Sequence, residues 1–203
     1  AARSPLDRHG KPLPAEACST VLADFIELAL NTGCRKGELL SLKWDDVDLS
    51  IRLLKLQETK SGEWQTVPIN EQARQVLVRR LRHRDAVCPT TPFIFFHERQ
   101  RRGVSVGDQV KEVKASFTSA CKRAGIKDFR IHDLPHTCAS WLVKNGTPLL
   151  EVRKLLRHAS ITMTERYAHL APDHLHQAVE NLGFTAQSQH SAESAKPAVL
   201  KMA

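Results

Sequence analysis

The stretch that most constrains the fold of this chain runs from residue 130 to residue 170 and reads RIHDLPHTCASWLVKNGTPLLEVRKLLRHASITMTERYAHL. Apolar residues recur in it at helical spacing, and short breaks separate the helical runs. Asp133 can cap a helix whose first position is Pro135, because a residue at that position needs no backbone N–H. The Asn-Gly pair at Asn145 ends this helix, and a second apolar stripe follows it. The stretch therefore predicts two short helices and a third one that carries Tyr167, the chain's only tyrosine.

The remaining sequence predicts a mainly helical domain that carries one small sheet. Amphipathic helical patterns start near residue 19, at about Arg35, at Asn70, at residue 108 and at Pro172, the last one running to Leu182. Between residues 44 and 69 the apolar period changes to that of strands. We predict an α+β fold, mainly α with a small three-stranded antiparallel β-sheet, whose strands are 44–49, 51–56 and 63–69. A buried extended segment, PFIFF, follows at residues 92–96.

Three segments are predicted along the chain. Residues 1–15 are rich in proline and charge without periodicity, which is typical of a linker, and we expect the intact protein to continue upstream. Residues 16–183 contain the periodic segments and are predicted to form one domain. Residues 184–203 are predicted to be a flexible tail.

The charge balance of the chain favours a polyanionic partner. Thirty Lys and Arg residues against 22 Asp and Glu residues give a net charge of +8. Nucleic acid is the first expected partner and a membrane surface the second, whereas a basic surface without any partner is the plain alternative. The helix after Asn70 carries arginines that either lie along phosphates or form only a solvated face: Arg74, Arg79, Arg80, Arg82 and Arg84.

Several other classes of protein are disfavoured by the sequence. No apolar run approaches the roughly 20 residues of a membrane span, and no signal-peptide pattern is present. The five cysteines are scattered without a C-x-x-C pair, which indicates reduced thiols in a cytoplasmic protein. His132 and His136 have the spacing of zinc ligands, but no third ligand accompanies them. We therefore expect neither a metal nor a cofactor, and interpret His136 as a packing or hydrogen-bonding residue.

Tyrosine, arginine and lysine together suit one chemistry, the cleavage of a phosphodiester. A tyrosine hydroxyl can attack the phosphorus and conserve the bond energy as a phosphotyrosyl link. Its ordinary pKa is about 10, so it needs a basic or cationic neighbour near neutral pH. The fork of an arginine matches two phosphate oxygens, and a lysine can protonate the leaving hydroxyl. Each of these residues alone is weak evidence, because a lone tyrosine is usually a packing residue.

In combination, four segments resemble the signatures of the tyrosine recombinases, also called phage integrases. NTGCRKGELLSLKWDDVD is similar to their first signature, with Arg35 at the place of the first phosphate-binding arginine and Glu38 at that of its acidic neighbour. ETKSGEWQTVPI resembles the family's sheet hairpin, whose lysine corresponds to Lys60. HDLPHTCASWLV resembles the His-x-x-Arg box, with His132 at the histidine position. These three segments occur in the family's order along the chain.

The fourth segment, LLRHASITMTERYAHL, resembles the closing signature, with His158 and the nucleophile Tyr167. The resemblance covers residues 20–182 and makes 16–183 a catalytic domain. It implies DNA strand cleavage through a 3′-phosphotyrosyl intermediate, strand exchange and rejoining. It also implies double-stranded DNA as the partner and a homo-tetramer on two duplexes, with the isolated domain expected to be a monomer.

Two positions depart from the family's pattern. Pro135 stands where the box has its second arginine, and proline cannot donate to a phosphate. Arg157 stands where the family often has glycine, and an arginine there is strained if the position requires a positive φ. Arg130 and Arg157 are near in sequence, but the sequence offers no geometric reason for either to reach the gap. Three hypotheses follow: a recombinase impaired by Pro135, a non-catalytic DNA-binding relative, or a helical protein with a chance basic surface.

Overall fold

The computed structural model describes residues 20–57, 64–172 and 179. Seven α-helices are present in this part of the chain: α1 (Val21–Thr32), α2 (Lys36–Ser41), α3 (Glu71–Val87), α4 (Lys114–Ala124), α5 (Asp133–Lys144), α6 (Leu149–Leu156) and α7 (Thr162–Glu165). Three strands, β1 (Val47–Asp48), β2 (Leu53–Gln57) and β3 (Trp64–Pro68), form an antiparallel sheet in the order β1–β2–β3. The prediction of a mainly helical fold with a small three-stranded antiparallel sheet is confirmed.

The chain divides into two units, residues 1–172 and 173–203, and the description below concerns the first. Four sequence-based expectations fall outside the described residues. These are the linker 1–15, the turn that carries Lys60, most of the helix predicted from Pro172 to Leu182, and the tail 184–203. Of that helix, the structure describes only Pro172 and Val179.

Helix α1 brings the first signature close to the end of α6. Phe25 and Leu28 are buried on its inner face, and the helix ends at Gly33, whose φ of 65° only glycine adopts without strain. A side chain at Gly33 would lie 2.6 Å from Leu156 Cδ2. The absence of a side chain therefore allows the residues that follow Gly33, including Arg35, to lie against the last residue of α6.

The sheet is shorter than predicted because local side-chain hydrogen bonds turn the chain. The first strand was expected at 44–49, but Trp44–Asp46 form a 3₁₀ helix, in which Asp46 accepts the backbone N–H of Lys43 at 2.9 Å. The second strand was expected from residue 51, but the Asp48 carboxylate accepts the N–H of Ser50 at 2.9 Å and closes a turn. Both expected boundaries are wrong by two or three residues.

Helix α4 begins at Lys114, not at residue 108 as the apolar pattern predicts. In the segment before it, Gln109 forms an antiparallel bridge with Phe96, and the N–H of Val110 donates to the carbonyl of Phe95 at 2.9 Å. Phe95 belongs to the expected extended segment, of which Ile94, Phe95 and Phe96 are fully buried. Pairing with this segment satisfies backbone groups that a longer helix would have used.

The basic face predicted on α3 is wrong for Arg80, whose side chain is 0% exposed. Its Nε and Nη2 donate to the carbonyl of Ile94 at 3.2 and 3.1 Å, and its Nη1 lies 3.2 Å from Glu98 Oε1. The guanidinium also lies over the Phe95 and Phe96 rings. Arg79 is exposed but pairs with Asp24. Much of this face is thus committed to contacts within the protein.

We expect Arg80→Met to lower the free energy of unfolding by about 3 kcal/mol, because it leaves buried acceptors without their donor. Arg82→Met, on an exposed residue of the same helix, is the matched control and should change it by less than about 0.5 kcal/mol. Urea denaturation of both variants measures the difference. Equal unfolding midpoints would show that the buried arginine contributes no more than a surface arginine.

Helices α5 and α6 pack against each other and enclose Tyr167. Ala139, Val143, Val152, Leu156 and Tyr167 form one buried cluster. Helix α5 starts at Asp133 with His132 as its N-cap, so the expected start at Pro135 is wrong. A preceding turn, in which the N–H of Asp133 donates to the carbonyl of Arg130 at 2.9 Å, extends the helix by two residues.

No helix among the residues that the structure describes has the length and apolar character needed to span a membrane.

Candidate active site

Two arginines share one carboxylate where α2 meets the end of α6. Arg35 is the N-cap of α2, and its Nη1 donates to Glu38 Oε1 at 3.0 Å. Arg157 comes from the other side, and its Nη2 donates to Glu38 Oε2 at 2.6 Å. The Arg35 side chain is 52% exposed, whereas that of Arg157 is only 6% exposed. The three charges sum to +1 because a single carboxylate lies between two guanidinium groups.

The backbone at the end of α6 also orients Arg35. Its Nη2 donates to the carbonyls of Leu156 and Arg157 at 3.3 and 3.4 Å. Arg157 has a φ of 55°, so the position does require the left-handed conformation that glycine adopts most easily. This backbone conformation ends α6 and leaves its last carbonyl groups free to accept hydrogen bonds from side chains.

His158 follows directly and lies beside the two arginines. Its Nδ1 is 2.8 Å from the hydroxyl oxygen of Thr164, a buried residue of α7. Burial lowers the pKa of His158, and the positive charges of Arg35 and Arg157 lower it further. Both effects favour the neutral form of the imidazole.

Tyr167 lies just after α7, and its hydroxyl forms a hydrogen bond with Nδ1 of His136 on α5. The tyrosine is 6% exposed, and this burial raises the pKa of its hydroxyl, although the charge of Arg166 opposes the rise. The phenol is thus protonated at neutral pH, and the nearest group able to accept its proton is His136. The hydrogen bond depends on which His136 nitrogen carries the proton: Nδ1 accepts when Nε2 is the protonated one.

The structure brings together some of the residues that the sequence selects and separates others. Arg35, His158 and Tyr167 lie in one region, because the charges of Arg35 and His136 act on His158 and His136 is hydrogen-bonded to Tyr167. His132 is exposed at the start of α5. Pro135 is the third residue of that helix and precedes His136. Lys60 lies outside the described residues.

Two contributors were missed by the sequence-based interpretation. His136 does form a hydrogen bond, as expected, but its partner is Tyr167, 31 positions away. Arg157 reaches Glu38 across 119 positions. Neither contact has a local signal, because both arise only when α5 and α6 pack against the rest of the domain. Within the described ranges, no group of three or more His, Cys, Asp or Glu residues is arranged to hold a metal ion.

Solved structures with the same architecture are tyrosine recombinases and integrases. The catalytic domain of bacteriophage HP1 integrase superposes with a TM-score of 0.55 at 27% identity, covering 83% of this chain and 92% of that one. The Tn1549 transposon integrase gives a TM-score of 0.62 at 23% identity, covering 79% of this chain and 59% of that one. The fold is therefore that of a tyrosine recombinase catalytic domain.

This chain belongs to the Phage integrase family, whose sequence profile matches residues 12–174. It is 32% identical to the integrase of Salmonella phage P22 over 177 residues, which cover 84% of this chain and 44% of that integrase. The chain spans between 34% and 55% of the length of the first curated relatives that it matches.

Proposed function

We propose that this chain is the catalytic domain of a site-specific DNA recombinase or integrase that cleaves and rejoins strands through Tyr167. The observation that carries the proposal is the hydrogen bond between the Tyr167 hydroxyl and His136, in a region that also holds Arg35 and His158. Membership of the Phage integrase family supports it. Residues 16–183 form the proposed domain.

In the proposed cleavage step, the Tyr167 oxygen attacks the phosphorus while its proton passes to Nδ1 of His136. The new bond joins Tyr167 to the 3′-phosphate, and the bond to the 5′-oxygen breaks. The leaving 5′-oxygen takes a proton from Lys60, the role that the family resemblance assigns to this lysine. The reverse sequence rejoins a strand. General-base assistance of this kind contributes typically about 10²–10⁴ in rate.

Arg35 and His158 are the proposed phosphate ligands. Arg35 is half exposed and keeps N–H groups that can bind a phosphate oxygen. His158 has Nδ1 engaged by Thr164, so a neutral ring would carry its proton on Nε2 and donate from there. His132 is the third proposed ligand, at the start of α5. Pro135 adds no donor, and we propose that cleavage is slower for this reason.

Double-stranded DNA is the proposed partner, held mainly through phosphates. The net charge of +8 supports this partner. The Tn1549 integrase was solved in complex with circular intermediate DNA, and the XerH recombinase was solved bound to difH substrate. These two complexes support the same partner for this chain. We propose that the working assembly is a homo-tetramer on two duplexes and that the isolated domain is a monomer.

The experiment that tests this function recovers covalent adducts from a pool of nicked duplexes with randomised sequence. The nick lets the short 5′-end fragment diffuse away, so that a cleaved strand stays attached to the protein. We expect DNA that resists denaturing detergent, in EDTA as well as in magnesium. The recovered sequences then provide one defined substrate. Failure of both this chain and its Pro135→Arg variant to form any adduct would refute the proposal.

The second candidate is a non-catalytic DNA-binding relative, and Pro135 is the observation that favours it. Such a protein would bind duplex DNA, and a plot of log affinity against log salt concentration would have a slope of about −0.9 per phosphate contacted. It would form no adduct even after Pro135→Arg. Retention of Arg35, His158 and a buried Tyr167 in one region favours the first candidate.

A further inference from the structure

We propose that Arg157 is a positioning residue for Arg35 that also offsets part of the loss of positive charge at Pro135. The inference rests on the proposed function, because it assigns a role within the same phosphate site. Residue 157 is linked to Arg35 in two ways. The guanidinium groups of Arg157 and Arg35 donate to the same Glu38 carboxylate, and the carbonyl oxygen of Arg157 accepts a hydrogen bond from Arg35.

Two unfavourable features coincide at Arg157. Its φ of 55° is strained for any residue with a side chain, and glycine would remove this strain. The Arg157 side chain is only 6% exposed, and its Nε has no hydrogen-bond partner in the described part of the chain. A strained backbone combined with a buried, incompletely paired charge persists only where the surroundings compensate for both. The contact with Glu38 is the compensation that the structure offers.

The shared carboxylate fixes the plane of Arg35. Oε2 of Glu38 accepts from Arg157 Nη2 at 2.6 Å and from the backbone N–H of Arg35 at 2.7 Å. Oε1 remains for Arg35 Nη1 at 3.0 Å. Arg157 is itself held by a hydrogen bond from Nη1 to the carbonyl of Leu155 at 2.7 Å. Its guanidinium thus restrains the carboxylate that in turn restrains Arg35.

The same contact changes the charge that a phosphate meets. Without Arg157, Arg35 and Glu38 form a neutral pair, and Pro135 supplies no charge. With Arg157, the group of three carries +1, the same sum that an arginine at position 135 and a glycine at position 157 would give. A preorganised positive charge near the reacting phosphate stabilises the transition state more than the bound substrate.

The test compares Arg157→Gly with Arg52→Gly in single-turnover adduct formation on the recovered substrate. Arg52 is the matched control, because it is an exposed arginine with a φ of 56° on the turn before β2. We expect Arg157→Gly to slow cleavage by about 10-fold to 10²-fold with little change in duplex affinity, and Arg52→Gly to leave the rate within about twofold. Both glycines relieve backbone strain, so neither variant should melt much earlier than the parent.

A double variant separates positioning and charge from a merely structural role. In the Pro135→Arg background, Arg157→Gly should slow cleavage by no more than about threefold, because the restored arginine supplies the charge. Arg157→Met, which keeps an unbranched aliphatic stem without the charge, should behave like Arg157→Gly in the parent background. An equal loss in both backgrounds together with a lower melting temperature would overturn the inference, as would a parent-like rate for Arg157→Gly.

Titration with inorganic phosphate decides the inference independently of cleavage. NMR signals of the Arg35 Nε–H and the His158 ring report phosphate binding. We expect the phosphate affinity of Arg157→Gly to be at least about fivefold lower than that of Arg52→Gly. If no variant forms an adduct but this difference appears, the phosphate site stands and the cleavage function fails. Equal phosphate affinities would overturn the role of Arg157 even if the parent cleaves DNA.

Discussion

Tyr167→Phe is expected to abolish adduct formation while leaving duplex DNA binding intact. The substitution removes only the hydroxyl oxygen, which is the proposed nucleophile, and keeps the ring that packs in the buried cluster of α5 and α6. No other tyrosine exists in the chain to replace it. Loss of a nucleophile typically lowers the rate by at least about 10⁴, so the adduct should fall below detection. Single-turnover incubation with the recovered nicked duplex, followed by a denaturing gel, measures the effect.

The matched variant His136→Gln tests the partner of the tyrosine. Glutamine keeps a polar side chain on α5 but is a far weaker base than imidazole, so cleavage should slow by about 10²-fold or more without disappearing. Binding isotherms at several salt concentrations provide the control, since all three proteins should share one slope of log affinity against log salt. An adduct that persists in Tyr167→Phe would show that another residue attacks the phosphorus. A parent-like rate for His136→Gln would show that the base lies elsewhere.

Pro135→Arg is expected to raise the cleavage rate by about 10²–10³, or about 3–4 kcal/mol of transition-state stabilisation. Position 135 is the third residue of α5, where a backbone N–H has no partner within the helix, so arginine and proline both fit the backbone. In the proposed site, the added guanidinium would meet the phosphate from α5, whereas Arg35 would meet it from α2. The gain should appear in the cleavage step more than in DNA affinity, because the phosphate carries its largest charge in the transition state.

Pro135→Gln is the matched control for this gain, since it restores a polar side chain without a charge. Its rate should stay within about threefold of the parent rate, and its melting temperature should match that of Pro135→Arg. The gain should also vanish when Tyr167→Phe or Arg35→Ala is added, because a phosphate ligand cannot act without the nucleophile or its partner arginine. Equal rates for Pro135→Arg and the parent, with both proteins folded and bound to DNA, would refute the assignment of position 135.

Helix content, the C-terminal ends of helices and the order of the signatures could be predicted from the sequence alone, whereas the starts of α4 and α5 could not. Apolar residues at helical spacing and a stop at Gly33 or Gly125 are local signals, and the structure has α1 and α4 ending at these glycines. The sequence left open whether residue 157 needs a positive φ, and the structure shows that it does, with a φ of 55°. Membership of the integrase family followed from the four signatures in order, and the family match confirms it. The roles of Arg35, Lys60, His132, His158 and Tyr167 in catalysis stay predictions.

Only the tertiary structure decided which side chains meet. The shortened sheet and the late start of α4 depend on the hydrogen bonds of Asp46 and Phe95, which compete with the periodic pattern. Arg80 carries the same charge as its exposed neighbour Arg82, yet only Arg80 is buried. The carbonyl that accepts its hydrogen bonds belongs to Ile94, 14 positions away. The Tyr167–His136 and Arg157–Glu38 contacts span 31 and 119 positions. Sequence periodicity reports only the face of an element that is buried, whereas the partner on that face is fixed by the packing of the whole chain.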